Sequence, residues 1–496
     1  EAAAAPEAET SSDKSTTAGE APDTVNPSAE SVSDNDAGTQ DTGADDEKKA
    51  AVQKVQALID ALPETVTVEN AESVGAQLEA IAEAMESLTE EQIAELDMTR
   101  LNAISEAMNA PMTVAEGEHT HFLCGKDTCN EVGGHTETDK VIFTAWNDES
   151  KLPETEGNYY LMNNVTLSEP WIPVNGVVLC LNGHTITVEA KDSGIIVGNG
   201  KTFTLCDCKD SGKITHGTDS NGEKYDGRGV DVSQGTFNMY GGSITGNTAN
   251  TGAGVSMYNG TFNMYGGSIT GNEAKNLTTN RDNVGIGGGV YMEQNSTFNM
   301  YDGTISNNTG EYGGGVNINS KSVFNMRGGT IENNKATGNN TAFGGGGGVN
   351  IAGSTEDTFN MSGGTIRGNT TNTYGSGVYV GWNFNMTGGE ITGNGAAKYG
   401  GGVYVESAYG NMGHFTVSGS AKVSGNNTSN VYLPDGATMA IGQGGFDNTA
   451  SIGVTAKTSP AQGSYVAIAT GAANGGYRDG TFINDQITGD CKFQQV

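Results

Sequence analysis

Positive charge is scarce in this chain. Lys and Arg number 25 against 59 Asp and Glu, a formal net charge of −34. Phosphate backbones and anionic bilayers are held by clustered cations, so nucleic acid and an acidic membrane surface are excluded as natural partners. No apolar run reaches the roughly eighteen residues that a spanning helix needs, so no membrane span is expected. The opening residues, EAAAAPEAETSSDKSTT, lack the basic start and apolar stretch of a secretory signal. An exported chain is therefore expected here in trimmed form. Cysteines are few and clustered: Cys124, Cys129, Cys180, Cys206, Cys208 and Cys491. That distribution argues against a disulfide-framework domain. Hydrophobic residues make up only 35%, too little for a thick globular core, whereas Gly reaches 75 of 496, about twice ordinary usage.

Residues 1–47 hold hardly a large apolar side chain, which predicts a disordered acidic linker, because such a segment cannot offset the entropy of ordering. From 48 to 110 the apolar period is helical. Val52, Val55, Ile59 and Leu62 share one face, Val74, Leu78, Ile81, Met85 and Leu88 a second, and Ile93, Leu96, Ile104 and Met108 a third. Pro63 separates the first two runs, and Thr89 to Gln92 reads as a capping box. A small three-helix module is expected. Residues 111–140 follow as a His/Cys-rich segment, in which His119, His121, Cys124, Cys129 and His135 form a candidate zinc knuckle. Zinc takes four N or S ligands, and the site would be structural, with every position filled by protein. A local Cys124–Cys129 disulfide fits the same spacing, and both readings stay open.

Beyond residue 140 the chain repeats itself. TFNMYGGSITGN occurs at 236–247 and again at 261–272, and aligned on its Phe the motif recurs at Phe237, Phe262, Phe298, Phe324, Phe359 and Phe384, with a degenerate copy at Phe415. Seven residues after each of the first six comes an Ile, and three further on an Asn, the last pair being Ile391 and Asn394. Before each copy stands a β-branched segment anchored at Val230, Val255, Val290, Val316, Val349, Val378 and Val403. Three short strands per unit, separated by Gly and Asn turns, are the signature of a solenoid. With one inward face per strand, the expected fold is mainly β, a right-handed parallel β-helix over 141–433 whose end and cap fill 434–496. Phe, Met, Ile and Val ladders would fill its core, and the Asn ladder would take the tight left-handed corner and hydrogen bond along the stack. Two insertions, Glu273 to Ile286 and Lys335 to Gly347, project from one edge. Upstream, Cys180 would fall close enough to Cys206 or Cys208 for a bridge.

The FNMYGGSITGN repeats alternating with GGGVYV, preceded by LCLNGHTI and a His-x-His...Cys segment, resemble large repeat proteins secreted or displayed by gut-dwelling anaerobic Gram-positive bacteria. Those are similar to the pectate-lyase-like right-handed β-helix superfamily. The resemblance covers about residues 119–450 and implies an extracellular or cell-surface location. It also implies either a passive adhesin or stalk, or a polysaccharide lyase or glycoside hydrolase.

For the enzyme reading, a lyase needs clustered carboxylates for Ca²⁺ with a cationic base, and a hydrolase needs facing acids. The acids here stand singly, at Asp231, Glu293, Asp302, Glu332, Glu390 and Glu406. Glu332 and Arg367 occupy equivalent positions in adjacent coils and read as a surface ion pair. Binding fits better. Asn238, Asn263 and Asn299 point outward beside Tyr240, Tyr265, Tyr301 and Arg327, and aromatic faces beside amides suit sugar rings. A second outward stripe is expected at Tyr291, Tyr379, Tyr404 and Tyr432. In either stripe, equivalent tyrosines can instead stack on one another without a ligand. The sequence thus points to a non-enzymatic, monomeric β-helix protein contacting a host or dietary glycan, or a host surface protein.

Overall fold

A computed structural model describes residues 42–66, 70–109, 119–126, 140–277, 284–341, 344–353, 356–395, 397–407, 413–458, 466–471 and 480–485. The chain divides into two compact units, Glu1–Ala61 with Ala80–Met98, and Leu62–Glu79 with Thr99–Val496. Among the described residues the helices are α1 (Thr42–Asp60), α2 (Ala71–Met85), α3 (Glu90–Ile93) and α4 (Thr99–Asn109). The third helical run of the sequence is thus two pieces. The capping box that opens α3 is present: Gln92 N donates to Thr89 Oγ1 at 3.4 Å, and Thr89 N to Gln92 Oε1 at 2.9 Å. In the first unit Asp97 N donates to Gln56 Oε1 (2.8 Å) and Gln92 Nε2 to the Lys48 carbonyl (3.2 Å), tying this stretch to α1. α1 begins inside the stretch expected to be linker, and residues 1–41 of that linker lie outside the described residues.

The second unit carries the expected parallel β-helix. One coil runs through a Val strand (Val230–Ser233), a Phe strand (Thr236–Met239) and an Ile strand (Ser243–Thr245). Each strand pairs in parallel with its equivalent in the next coil, so that Phe237 lies over Phe262, Ile244 over Ile269 and Val230 over Val255. The Phe strands join upstream and downstream segments into a sheet of fourteen strands among the described residues, from His119–His121 to Ala469–Thr470. A fourth element was not announced by the sequence. Two-residue strands after the corner, Thr248–Ala249, Glu273–Ala274, Thr309–Gly310, Lys335–Ala336 and Thr370–Thr371, pair into a small sheet of their own. Both insertions therefore begin as regular rungs.

The interior is one side chain thick. The Phe rings stack from Phe237 to Phe415 with centroids 4.6–5.0 Å apart and planes within 4–11° of parallel. Phe203, in a divergent upstream coil, extends the stack, and Trp171 closes it edge-on at 5.2 Å. Met439 takes the next position beyond Phe415. Ile244 through Ile391 and both Val-strand positions are likewise buried. Burial of each such side chain contributes about 1.5–3 kcal/mol.

The corner corrects one expectation. The left-handed residue is the one before the ladder Asn: Gly246, Gly271, Asn307, Asn333, Gly368 and Gly393 have φ between 54° and 65°. Asn247 and its equivalents do not share that conformation. Instead their side chains turn inward and are fully buried. Each Nδ2 donates to Oδ1 of the next Asn at 2.9–3.0 Å, as in Asn272 to Asn308 and Asn308 to Asn334, and also to an Ile carbonyl such as Ile269. The backbone N of each Asn donates to the same Oδ1.

Two predictions follow from this packing. Phe298→Ala, between two stacked rings, should cost about 3–5 kcal/mol in chemical denaturation; a loss below about 1 kcal/mol would mean the ring stack is not the core. Asn308→Ala strands the Asn272 donors and the Ile269 carbonyl in a dry corner and should cost about 3 kcal/mol or more. Asn299→Ala on the outer face should stay within about 1 kcal/mol. Equal losses for the two asparagines would contradict the assignment of the inner ladder.

Candidate functional site

The outer face of the Phe sheet carries two parallel rows. Asn238, Asn263, Asn299, Asn325, Asn360 and Asn385 form the first, and each amide Nδ2 donates to Oδ1 of the preceding coil's Asn at 2.9 Å, from Asn263 to Asn385. Asn238 starts the row by donating to Thr204 Oγ1 at 3.3 Å. These asparagines are half-buried, unlike those of the corner. An amide has two N–H donors and two acceptor lone pairs, so each rung keeps hydrogen-bonding capacity that the ladder does not consume.

The second row starts one pleat further on, with Tyr240, Tyr265, Tyr301 and Arg327. The rings stack at 4.5 Å and 4.8 Å, and Arg327 Cζ sits 4.9 Å over the Tyr301 ring while its Nη1 donates to Asn299 Oδ1 at 3.3 Å. The sugar-stacking expectation changes here, because the ring faces are spent on one another and on the guanidinium. What the row offers outward is phenol edges and hydroxyls beside the amides.

The second tyrosine stripe is not an outward surface. Tyr291, Tyr379, Tyr404 and Tyr432 are 2–7% exposed. Tyr374 stacks on Tyr404 at 4.5 Å and Tyr399 on Tyr432 at 4.6 Å, so residues of the neighbouring corner cover those two rings. Tyr379 Oη donates to the buried Glu406 at 2.9 Å, which accounts for one of the single acids as structure. Glu332 and Arg367 form the expected ion pair at 2.8 Å, and its exposure limits it to at most about 1 kcal/mol. The groove lined by Glu149, Ser150, Asn163, Asn164, Thr166 and His184 presents one carboxylate and one imidazole. A hydrolase would need a second acid facing Glu149.

Followed toward its start, the Tyr row changes character. Tyr240 continues into Cys206, which pairs with Cys180, then Tyr160, then Ala145. The strand His119–His121 pairs antiparallel with Val141–Trp146 at the sheet edge and brings two histidines onto this row. His119 stacks on Tyr160 at 4.0 Å and His121 on Phe143 at 4.4 Å. The result is a cluster of His119, His121, Cys180 and Cys208 whose ligand atoms all lie within 4.8 Å of one another. Cys180 Sγ is 3.7 Å from Cys208 Sγ, and Cys208 Sγ is 3.6 Å from His119 Nε2. Two of the five residues expected in a zinc knuckle are thus brought together, with two cysteines the sequence had suggested for a bridge. Cys124 is not among the four, and Cys129 and His135 lie outside the described residues. Cys180, Cys206 and Cys208 are all free thiols.

Asp207 explains the direction of Cys208. Its buried carboxylate accepts from Gly183 N and Gly212 N, both at 2.7 Å, which turns Asp207 inward and leaves the flanking Cys206 and Cys208 outward. The Cys206 thiol beside Cys180 and the burial of the site push the Cys180 thiol up, and the Cys180 thiol with burial pushes Cys208 up to about 11. Comparisons of the chain with protein-family models, curated proteins and solved structures found no match, so the functional reading rests on the fold and on these side chains.

Proposed function

We propose that the protein is a non-enzymatic extracellular rod that contacts a host or dietary glycan along the Asn and Tyr rows of the Phe sheet. The observation that carries this reading is the repetition of one polar pattern, rung after rung, with amide donors and acceptors left over and phenol hydroxyls beside them. Rungs about 4.8 Å apart offer an extended polysaccharide the same group at each step. Weak contacts repeated along one chain add by effective concentration rather than by individual strength. In the repeated coils from Phe237 to Phe384, Arg327 is the one ionisable side chain on the two rows besides tyrosine, which favours binding over acid–base chemistry along that stretch. The resemblance to secreted β-helix proteins of gut anaerobes, in the pectate-lyase-like superfamily, supports the extracellular placement and a monomeric stalk or adhesin.

The reading is tested by two variants on a glycan array. Tyr240→Ala with Tyr265→Ala should abolish retention with an unchanged circular-dichroism spectrum. Tyr265→Phe with Tyr301→Phe keeps the stack and removes only hydroxyls, and should weaken retention about 10-fold. Unchanged retention in both would sink the site. Capture of a host surface protein in place of glycan would move the partner, and Ca²⁺-dependent release of unsaturated uronides from pectin-like polymers would establish the lyase alternative.

A further inference from the structure

We propose that His119, His121, Cys180 and Cys208 bind one Zn²⁺ ion, and that the ion staples the outer strand His119–His121 to the coils behind it. The donor set is two thiols and two imidazoles, which selects zinc over the oxygen-seeking Ca²⁺ and Mg²⁺. A zinc tetrahedron with Zn–S of about 2.3 Å and Zn–N of about 2.0 Å has edges of about 3.3–3.8 Å. The observed Sγ–Sγ and Sγ–Nε2 separations of 3.7 Å and 3.6 Å are such edges. They are far longer than the bond of about 2.05 Å in a disulfide.

The surroundings hold the ligands in place. His121 Nδ1 lies 2.5 Å from the Phe122 carbonyl, which makes Nδ1 the N–H donor and leaves Nε2 as the ligand atom. Such an outer hydrogen bond is the usual companion of a metal-bound imidazole. His119 is held flat against Tyr160, its Nε2 facing Cys208. Gly125, at φ +76°, lets residues 119–126 lie on the Asp207–Cys208 turn; a Cβ there would come within 2.4 Å of the Asp207 carbonyl oxygen and 3.0 Å of Cys208 Cα. Lys126 and Asp210 add an exposed ion pair at 3.0 Å on the same seam. All four positions would be filled by protein, so the ion is structural and has no open site for a substrate. His119 and Cys208 stand 89 positions apart. A cross-link closing so long a loop restricts the unfolded chain strongly. Each thiol gives up its proton to become a thiolate ligand, so binding releases two protons to solvent and needs no oxidant.

The test is metal analysis of the full chain loaded with Zn²⁺ and dialysed, with Co²⁺ substitution as a spectroscopic second arm. The expected content is one zinc per chain, lost in Cys208→Ser and in His121→Ala and retained in Cys124→Ser with Cys129→Ser. The Co²⁺ form should show a thiolate-to-metal charge-transfer band that disappears with the same ligand variants. If those variants fail to fold, titration of the native zinc form with a mercurial keeps the question open to a clear answer. Zinc should then leave in step with modification of Cys180 and Cys208. Zinc retained in Cys208→Ser, zinc lost only with Cys124 and Cys129, or a disulfide from Cys180 to Cys206 or Cys208 in the purified protein would each overturn the assignment.

Discussion

Parallel, in-register stacking of coils about 4.8 Å apart is the constraint on which the rest of this structure depends. It places each residue over its counterpart, so a side chain must suit its own copies above and below before it suits anything else. Phenylalanine satisfies this by stacking its ring on the next ring, at separations that match the coil spacing. Any change of size at that position leaves either a void or a clash for two neighbours at once, which is why the core of the repeated coils is filled by Phe, Met, Ile and Val.

The same constraint lets asparagine serve in two opposite settings. At the inner corner it is fully buried and must satisfy every amide group, so it donates to the next Asn and to an Ile carbonyl together. That ladder has a direction, with acceptors at its start and donors at its end. Both ends are closed by complementary groups. His216 Nδ1 meets Asn247 Oδ1 at 2.8 Å, and Asp485 accepts from Asn430 N and Nδ2 at 2.9–3.1 Å. On the outer Phe sheet the asparagines use one donor each and stay open to solvent, so there the identical residue is a surface rather than a fastening.

The architecture was legible because a period of Phe, Ile, Asn and Val can be satisfied in few ways. The strand directions, the outward Asn and Tyr rows and the Glu332–Arg367 pair all follow from counting alternate residues. What counting could not show was the third dimension between coils. It left the buried Tyr404 and Tyr432 looking exposed, since alternation cannot reveal that Tyr374 and Tyr399 fold over them. It also assigned His119 and His121 to nearby cysteines. Their observed partners come from coils remote in sequence, and the available signal was that Cys180 and Cys206 share the row of Tyr160 and Tyr240.

This difference says where each kind of chemistry can reside in such a fold. A run of identical rungs has no unique point, so it can offer a ligand only what it offers everywhere along its length, which suits a polymer and does not suit a single ion or a single scissile bond. A point site needs unlike side chains to converge, and that requires the repeat to lapse. It lapses in the divergent first coils, where Tyr160, Cys180 and Cys206 replace the regular row and an antiparallel strand crosses the edge. The four convergent ligand atoms lie there, at an end of the row where copies of a single residue no longer dictate the neighbours.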